Sequence, residues 1–138
     1  MYEITLSGTP VAKARPRASK TRTGKIRMYT PTKSKDFEHQ VRKRAEKLFE
    51  KPLVCPIYIE IHFLMPRPKK IIWKTKPMPR VPCDKRPDLD NLCKSVEDGL
   101  NGVAFRDDGQ ISSMRATKKY HSGDEGPKTV IRIGEDTS

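Results

Sequence analysis

Acidic residues, cysteine and long apolar runs are all in short supply in this 138-residue chain. Three cysteines (Cys55, Cys83 and Cys93) are an odd number with no C-x-x-C spacing, which argues against both a disulfide framework and a zinc site. No apolar stretch approaches the roughly 20 residues needed to span a bilayer, and the first residues lack a signal-peptide core. A cytoplasmic setting is expected. Hydrophobic residues make up 34%, low for a globular chain but enough for one domain with a modest core. Acids number 17 against 29 Lys and Arg, giving a net charge of +12. Such a balance favours a polyanionic partner. A membrane surface fits poorly, because no amphipathic stretch carries the bulky apolar face it would need.

The scarcity of acid is uneven. Residues 13–35 hold nine Lys or Arg and no acid, among them Lys13, Arg15, Arg17, Lys20 and Arg22. Pro16 and Gly24 break any continuous helix, and Thr23-Gly24-Lys25 reads as a turn into a short edge strand over 26–29. Residues 66–87 hold six of the twelve prolines together with Lys69, Lys70, Lys74, Lys76, Lys85 and Arg86. That segment reads as a long loop too proline-rich for a regular element, of the kind that is usually functional or disordered. Both stretches suit phosphate neutralisation without sequence reading. Trp73 sits mid-loop, equally able to stack on an exposed base or to plug a core or dimer contact.

Between these stretches the periodicity is regular. Residues 2–6 alternate as a strand. Over 34–51, Phe37, Val41, Ala45, Leu48 and Phe49 form the apolar stripe of a helix, with Arg42, Lys43, Arg44 and Lys47 opposite. Ile57, Ile59, Ile61 and Phe63 mark the clearest strand, expected to be central, with His62 on its other face as a surface or dimer-contact residue. A second helix is expected over 88–103, with Asn101-Gly102 as its stop. Two strands over 111–121 and 129–133 are expected to form a hairpin through a polar loop, with Lys118, Lys119 and Arg132 keeping the outer surface basic. The sum is an α+β fold: a mixed sheet with two helices on one face.

Six of the 17 acids fall within residues 86–111, RPDLDNLCKSVEDGLNGVAFRDDGQI. Asp88 and Asp90 stand at the expected helix start, where carboxylates cap free N–H groups. Asp107 and Asp108 precede the next strand. Carboxylates converging from these two places repel each other unless some are protonated or a divalent cation lies among them. Oxygen-only donors suit a hard ion such as Mg²⁺, which polarises a phosphodiester and orients a water. Lys94, one turn beyond Asp90, is placed to hold a phosphate. For any one of these acids, a capped helix or an acidic turn is the simpler explanation; what shifts the balance for the set is mainly a family resemblance.

The segment DLDNLCKSVEDGL…FRDDGQI resembles the signature of the RusA family of Holliday junction resolvases, with its Asp-x-Asp-Asn-Leu-x-Lys element and later Asp-Asp-x-Gln. The resemblance implies a small homodimeric endonuclease that cuts four-way DNA symmetrically with Mg²⁺ or Mn²⁺, without an organic cofactor. It implies Asp88, Asp90 and Asp108 as catalytic, metal-binding carboxylates and Lys94 as the essential lysine, with Asp107 and Asp98 on further family acids. The 66–87 loop is longer than the basic link the family has there. Three other readings stay open: a non-enzymatic nucleic-acid-binding protein, which leaves the acids unexplained; a metal nuclease acting on other branched or duplex DNA; and an inactive resolvase-like protein that retains binding, against which the matching acids and lysine count.

Overall fold

The computed structural model describes residues 1–14, 24 and 32–138 in full, and the backbone of 17–20 and 26–29. The elements run β1 (Tyr2–Ser7), β2 (Arg17–Lys20), β3 (Ile26–Tyr29), α1 (Thr32–Leu48), β4 (Ile57–Met65), β5 (Val81–Pro82), α2 (Leu89–Leu100), β6 (Ile111–Tyr120) and β7 (Lys128–Glu135). Five strands form a mixed sheet in the order β1-β7-β4-β6-β5, and β2 and β3 form a separate antiparallel pair. Gly24, between those two strands, has φ 81°, the left-handed region that a tight turn there requires.

The alternation in β4 places Ile57, Ile59, Ile61 and Phe63 fully inside. A strand this buried needs both backbone edges paired, because unsatisfied N–H and C=O groups are costly away from water. It therefore takes a neighbour on each side: β6 parallel and β7 antiparallel. This overturns the expected hairpin of the last two strands, since β4 lies between them and the polar connection crosses the sheet end.

Both helices cover the same sheet face. Phe37, Val41 and Ala45 of α1 and Leu92, Cys93, Val96 and Leu100 of α2 share one core with β4, with Ile4 and Leu6, and with Ile131 and Ile133. Each fully buried Leu or Ile contributes about 2 kcal/mol of transfer free energy. The helices meet at Gly99, where an added Cβ would lie 2.7 Å from Val41 Cβ and 2.8 Å from the Glu38 carbonyl oxygen. Asn101 ends α2, and Gly102 turns the chain at φ 82°. Arg42, on the polar face of α1, donates to the carbonyls of Asp98 and Asn101, supplying positive charge where the α2 dipole is negative.

The other sheet face is polar and internally paired. Arg132 lies 3.3 Å from Glu3 and 3.7 Å from Glu60, so its charge is balanced on the sheet and does not keep that surface basic as expected. His62 bonds Thr117 Oγ1 at 2.6 Å and approaches Glu60 at 3.6 Å, a sheet-surface placement.

The proline-rich loop is more ordered than its composition suggests. It contains a 3₁₀ turn at Lys69–Ile71 and the two-residue β5, which pairs with the end of β6. Arg67, 7% exposed, holds it together by donating to the carbonyls of Ile71, Pro79 and His121. Arg80 makes two 2.8 Å bonds to Glu125, tying the loop to the β6–β7 connection.

Two stability measurements follow. Gly99→Ala forces the new methyl against backbone that cannot swing away, with an expected loss of about 1–3 kcal/mol in urea unfolding; an unchanged midpoint would mean the helices do not meet this closely. The Arg80 guanidinium holds the Glu125 carboxyl well below the usual carboxylate range. A depressed folded pKa gives stability that is present above the unfolded value of about 4.3 and is lost as pH falls toward the folded one. Glu125→Gln should therefore cost up to about 1 kcal/mol at pH 7 and less at pH 3. An equal gap at both pH values would show that the pair contributes nothing.

Candidate active site

The first turn of α2 begins at the expected place, but its acids behave differently from simple caps. Asp88 occupies the N-cap position with extended backbone, yet its side chain makes no capping hydrogen bond. Asp90 Oδ1 accepts only from the adjacent Asn91 N–H, at 3.0 Å. Both side chains are exposed, and among the described residues neither has an ion-pair partner. Two carboxylates are thus left uncommitted at one helix start. Asp90 also rims an open cleft of about 540 Å³ between α2 and β6, floored by Leu89, Cys93, Met114 and Ala116.

The approach to Asp88 is fixed from behind by β6. Lys118 Nζ donates to the carbonyls of Lys85 and Pro87, at 2.5 and 2.7 Å. Lys118 is therefore an internal brace, contrary to the expectation that it keeps the outer surface basic.

Asp107 and Asp108 arrive on the 3₁₀ turn at Asp108–Gln110, which Asp107 caps. Asp107 Oδ2 accepts from the Gly109 N–H, and Gln110 Oε1 accepts from the N–H groups of Arg106 and Asp107. Gln110 Nε2 reaches across to the carbonyls of Leu53 and Cys55. Gln110 thus anchors the turn to the body of the fold. It was missed as a site residue, though the Asp-x-x-Gln spacing of a capping box was there to be read.

Lys94 lies between two acids: Nζ is 3.3 Å from Asp98 Oδ1 and 3.4 Å from Asp108 Oδ2. Asp98 beside it holds the ammonium pKa above the ordinary lysine value, so Lys94 is protonated. Asp98 in turn accepts from Lys13 at 3.1 Å, and Lys13 also bonds Glu38 at 2.6 Å. Burial pulls the Lys13 pKa down, but these two carboxylates outweigh it and raise the value. Lys13, expected to meet phosphate, is thus engaged inside the fold. The segment around it is strapped to α2, with Lys13 N–H donating to the Asn91 carbonyl and Ser95 Oγ to that of Val11. This strap holds residues 11–13 against α2. Arg15 and Arg22 lie outside the described residues, and Arg17 and Lys20 lie on β2, where only the backbone is described.

Burial pushes the Glu97 carboxyl above its ordinary range and the Cys93 thiol up to about 11. Lys69, Lys70, Lys74, Lys76, Lys85 and Arg86 are all exposed along the 66–87 loop. Trp73 sits under its own cations, with Lys76 Nζ 4.2 Å and Arg67 5.2 Å from its ring.

Among the described residues, no three His, Cys, Asp or Glu are close enough to cage a metal ion. The expected convergence of Asp88, Asp90, Asp107 and Asp108 is therefore not what the structure draws together. Like charges keep apart, and each acid of the turn has a local partner: Gly109 for Asp107 and Lys94 for Asp108. The uncommitted pair still has the donor chemistry of a Mg²⁺ site, since that ion commonly binds one or two carboxylates and completes its shell with water and substrate phosphate.

Asp98→Asn removes the nearest negative charge from Lys94, and its ammonium pKa should fall toward the ordinary lysine value in an NMR titration of labelled lysine. Asp98 also bonds the partly buried Lys13, so the stability loss should be about 1 kcal/mol, more than the half-exposed Lys94 pair alone would give. An unmoved pKa would mean Asp98 does not govern Lys94.

Comparison with known proteins points the same way. The chain is 32% identical, over 96% of its length and 95% of the other's, to the uncharacterized protein YqaN of Bacillus subtilis (strain 168). Residues 7–134 match the family model of endodeoxyribonuclease RusA, a span that takes in the strap, the basic loop, α2 and the 107–110 turn, so the chain belongs to the RusA endodeoxyribonuclease family.

Proposed function

We propose that the chain is a divalent-metal-dependent endodeoxyribonuclease that resolves four-way DNA junctions by paired, symmetric phosphodiester cleavage. The observation that carries this is the pair of uncommitted carboxylates, Asp88 and Asp90, at the start of α2 in a chain of net charge +12. Asp88 and Asp90 would hold Mg²⁺, for which Mn²⁺ can substitute, and Asp108 and Asp107, which stand apart from them and have partners of their own, would have to approach to serve as further ligands. When bound, the ion supplies Lewis-acid polarisation of the scissile phosphate and lowers the pKa of a coordinated water. The remaining work falls to the chain. Lys94, protonated and held by Asp98, offers positive charge to the phosphate as charge develops on it. Asp108 shares that lysine, so the ammonium is oriented before substrate arrives. The loop cations would bring the DNA backbone to the helix start, and Arg15, Arg17, Lys20 and Arg22 would add their charge to the attraction for phosphate.

A four-way junction is two-fold symmetric and needs two matched cuts, which a C2 homodimer with one site per subunit supplies. Asp90→Asn should reduce cleavage of a labelled junction by roughly 100-fold or more at unchanged binding, the several kcal/mol expected of a metal-assisted step. EDTA should abolish cleavage by the wild type. Wild-type rates from Asp90→Asn, or cutting in EDTA, would end this reading. Equal cutting of junction, flap and duplex would keep the nuclease and remove the junction preference.

A further inference from the structure

A second concavity opens on the other side of the Asp88 approach, between the proline-rich loop and the end of β6. Its volume is about 480 Å³, within the roughly 300–1,000 Å³ of ligand-holding pockets. Arg67, Lys70, Lys85 and Arg86 line it, and Cys83 and Tyr120 form part of an apolar floor. No acid lines it, and among the described residues none of the four cations has a carboxylate within ion-pair distance. Arg67 is 7% exposed, and its Nη2 has no hydrogen-bond partner among the described residues. Lys13, by contrast, is balanced by Glu38 and Asp98. Here four are gathered without a counter-charge.

The pocket is built into the fold. Val81 and Pro82 pair with Tyr120 and Lys119, Cys83 N–H donates to the Lys118 carbonyl, and Lys118 Nζ ties down Lys85 and Pro87. Arg86 stands two residues before Asp88, a span of at most about 7 Å. Whatever the pocket holds is therefore a neighbour of the group presented to Asp88 and Asp90. A cationic rim over an aromatic and apolar floor matches one ligand chemistry in two parts: a phosphate and a planar base. A paired base in a duplex keeps its faces stacked and cannot offer one to Tyr120, whereas an unpaired base can.

We propose that this pocket takes one unpaired deoxynucleotide of the strand being cut, its phosphate on Lys70, Lys85 and Arg86 and its base against Tyr120. The proposal rests on the reading of the chain as a DNA endonuclease, and it gives that enzyme a reason to prefer branched DNA: at a branch point, nucleotides leave the stack at least cost.

The test is equilibrium binding in EDTA of a thymidine octamer and of an abasic octamer with the same number of phosphates, each over a range of salt. Wild-type protein should bind the thymidine octamer about ten-fold more tightly, the size of one stacking contact. Tyr120→Leu, checked for folding by circular dichroism, should abolish that preference and leave abasic binding unchanged. Lys70 is exposed, so Lys70→Gln tests the phosphate half whatever Tyr120→Leu does to folding. It should weaken both octamers and reduce the salt slope by about 0.7. Equal wild-type affinity for the two octamers overturns the proposal, as does a Lys70→Gln variant with an unchanged salt slope. Because no junction and no cleavage enter this assay, a ten-fold preference in a protein that fails to cut junctions still supports the pocket. Full junction cutting without any preference overturns the pocket alone.

Discussion

The position of α2 depends on a missing side chain. Gly99 lets α2 lie against the backbone of α1 at a distance that no Cβ would allow, with Val41 and the Glu38 carbonyl directly opposite. That approach brings the Glu38 and Asp98 carboxylates near enough for one ammonium, Lys13, to bond both. Asp98, so anchored, holds Lys94, and Lys94 reaches Asp108 on the far turn. A packing constraint between two helices is thereby converted into the orientation of a charged side chain about one turn away. The same contact fixes the strap over α2.

Within this frame the acids divide by what already engages them. Asp98 is held by two lysines, Asp107 caps its own turn, and Asp108 faces Lys94. Among the described residues, Asp88 and Asp90 have no lysine or arginine partner, and Asp88 makes no capping bond. A carboxylate at a helix N-cap position ordinarily gains about 1 kcal/mol by bonding the free N–H groups, and Asp88 forgoes this. Such a loss of local stability is common where side chains are kept for chemistry. The distinction separates acids that build the site from acids open to a ligand, and spacing along the chain does not reveal it.

The parts legible in the sequence were those governed by local rules. The start of α2 beside Asp88, the alternation of β4 and the stop at Asn101-Gly102 each follow from short-range geometry, and each stands where it was expected. The expected hairpin of β6 and β7 failed because strand order is set by which strand most needs two neighbours, a property of the whole sheet. Lys13, Lys118 and Arg132 were misjudged for a related reason. A basic residue reads as solvated or DNA-facing until the acid or carbonyl that engages it is known, and those partners are 25 to 129 residues away for Lys13 with Glu38 and Arg132 with Glu3. The motif itself was readable because the residues that carry the family resemblance lie within one helix and one turn.

The proline-rich loop shows how a segment without regular structure can still be specific. Proline removes backbone donors and fixes φ, so the loop cannot hold itself by backbone pairing along its length. Arg67 compensates by gathering three carbonyls from distant points of the chain, and Arg80 pins the outer limb to Glu125. With backbone order supplied by two arginines, the remaining cations are free to face outward. They do so in chain order toward Asp88, from Lys69 and Lys70 to Lys85 and Arg86, and Lys118 holds the last of them in place. A phosphate backbone drawn along those cations would meet carboxylates of its own sign at Asp88 and Asp90. Phosphate and carboxylate repel, so the two would approach only with a cation between them, whether a side-chain ammonium or a bound ion.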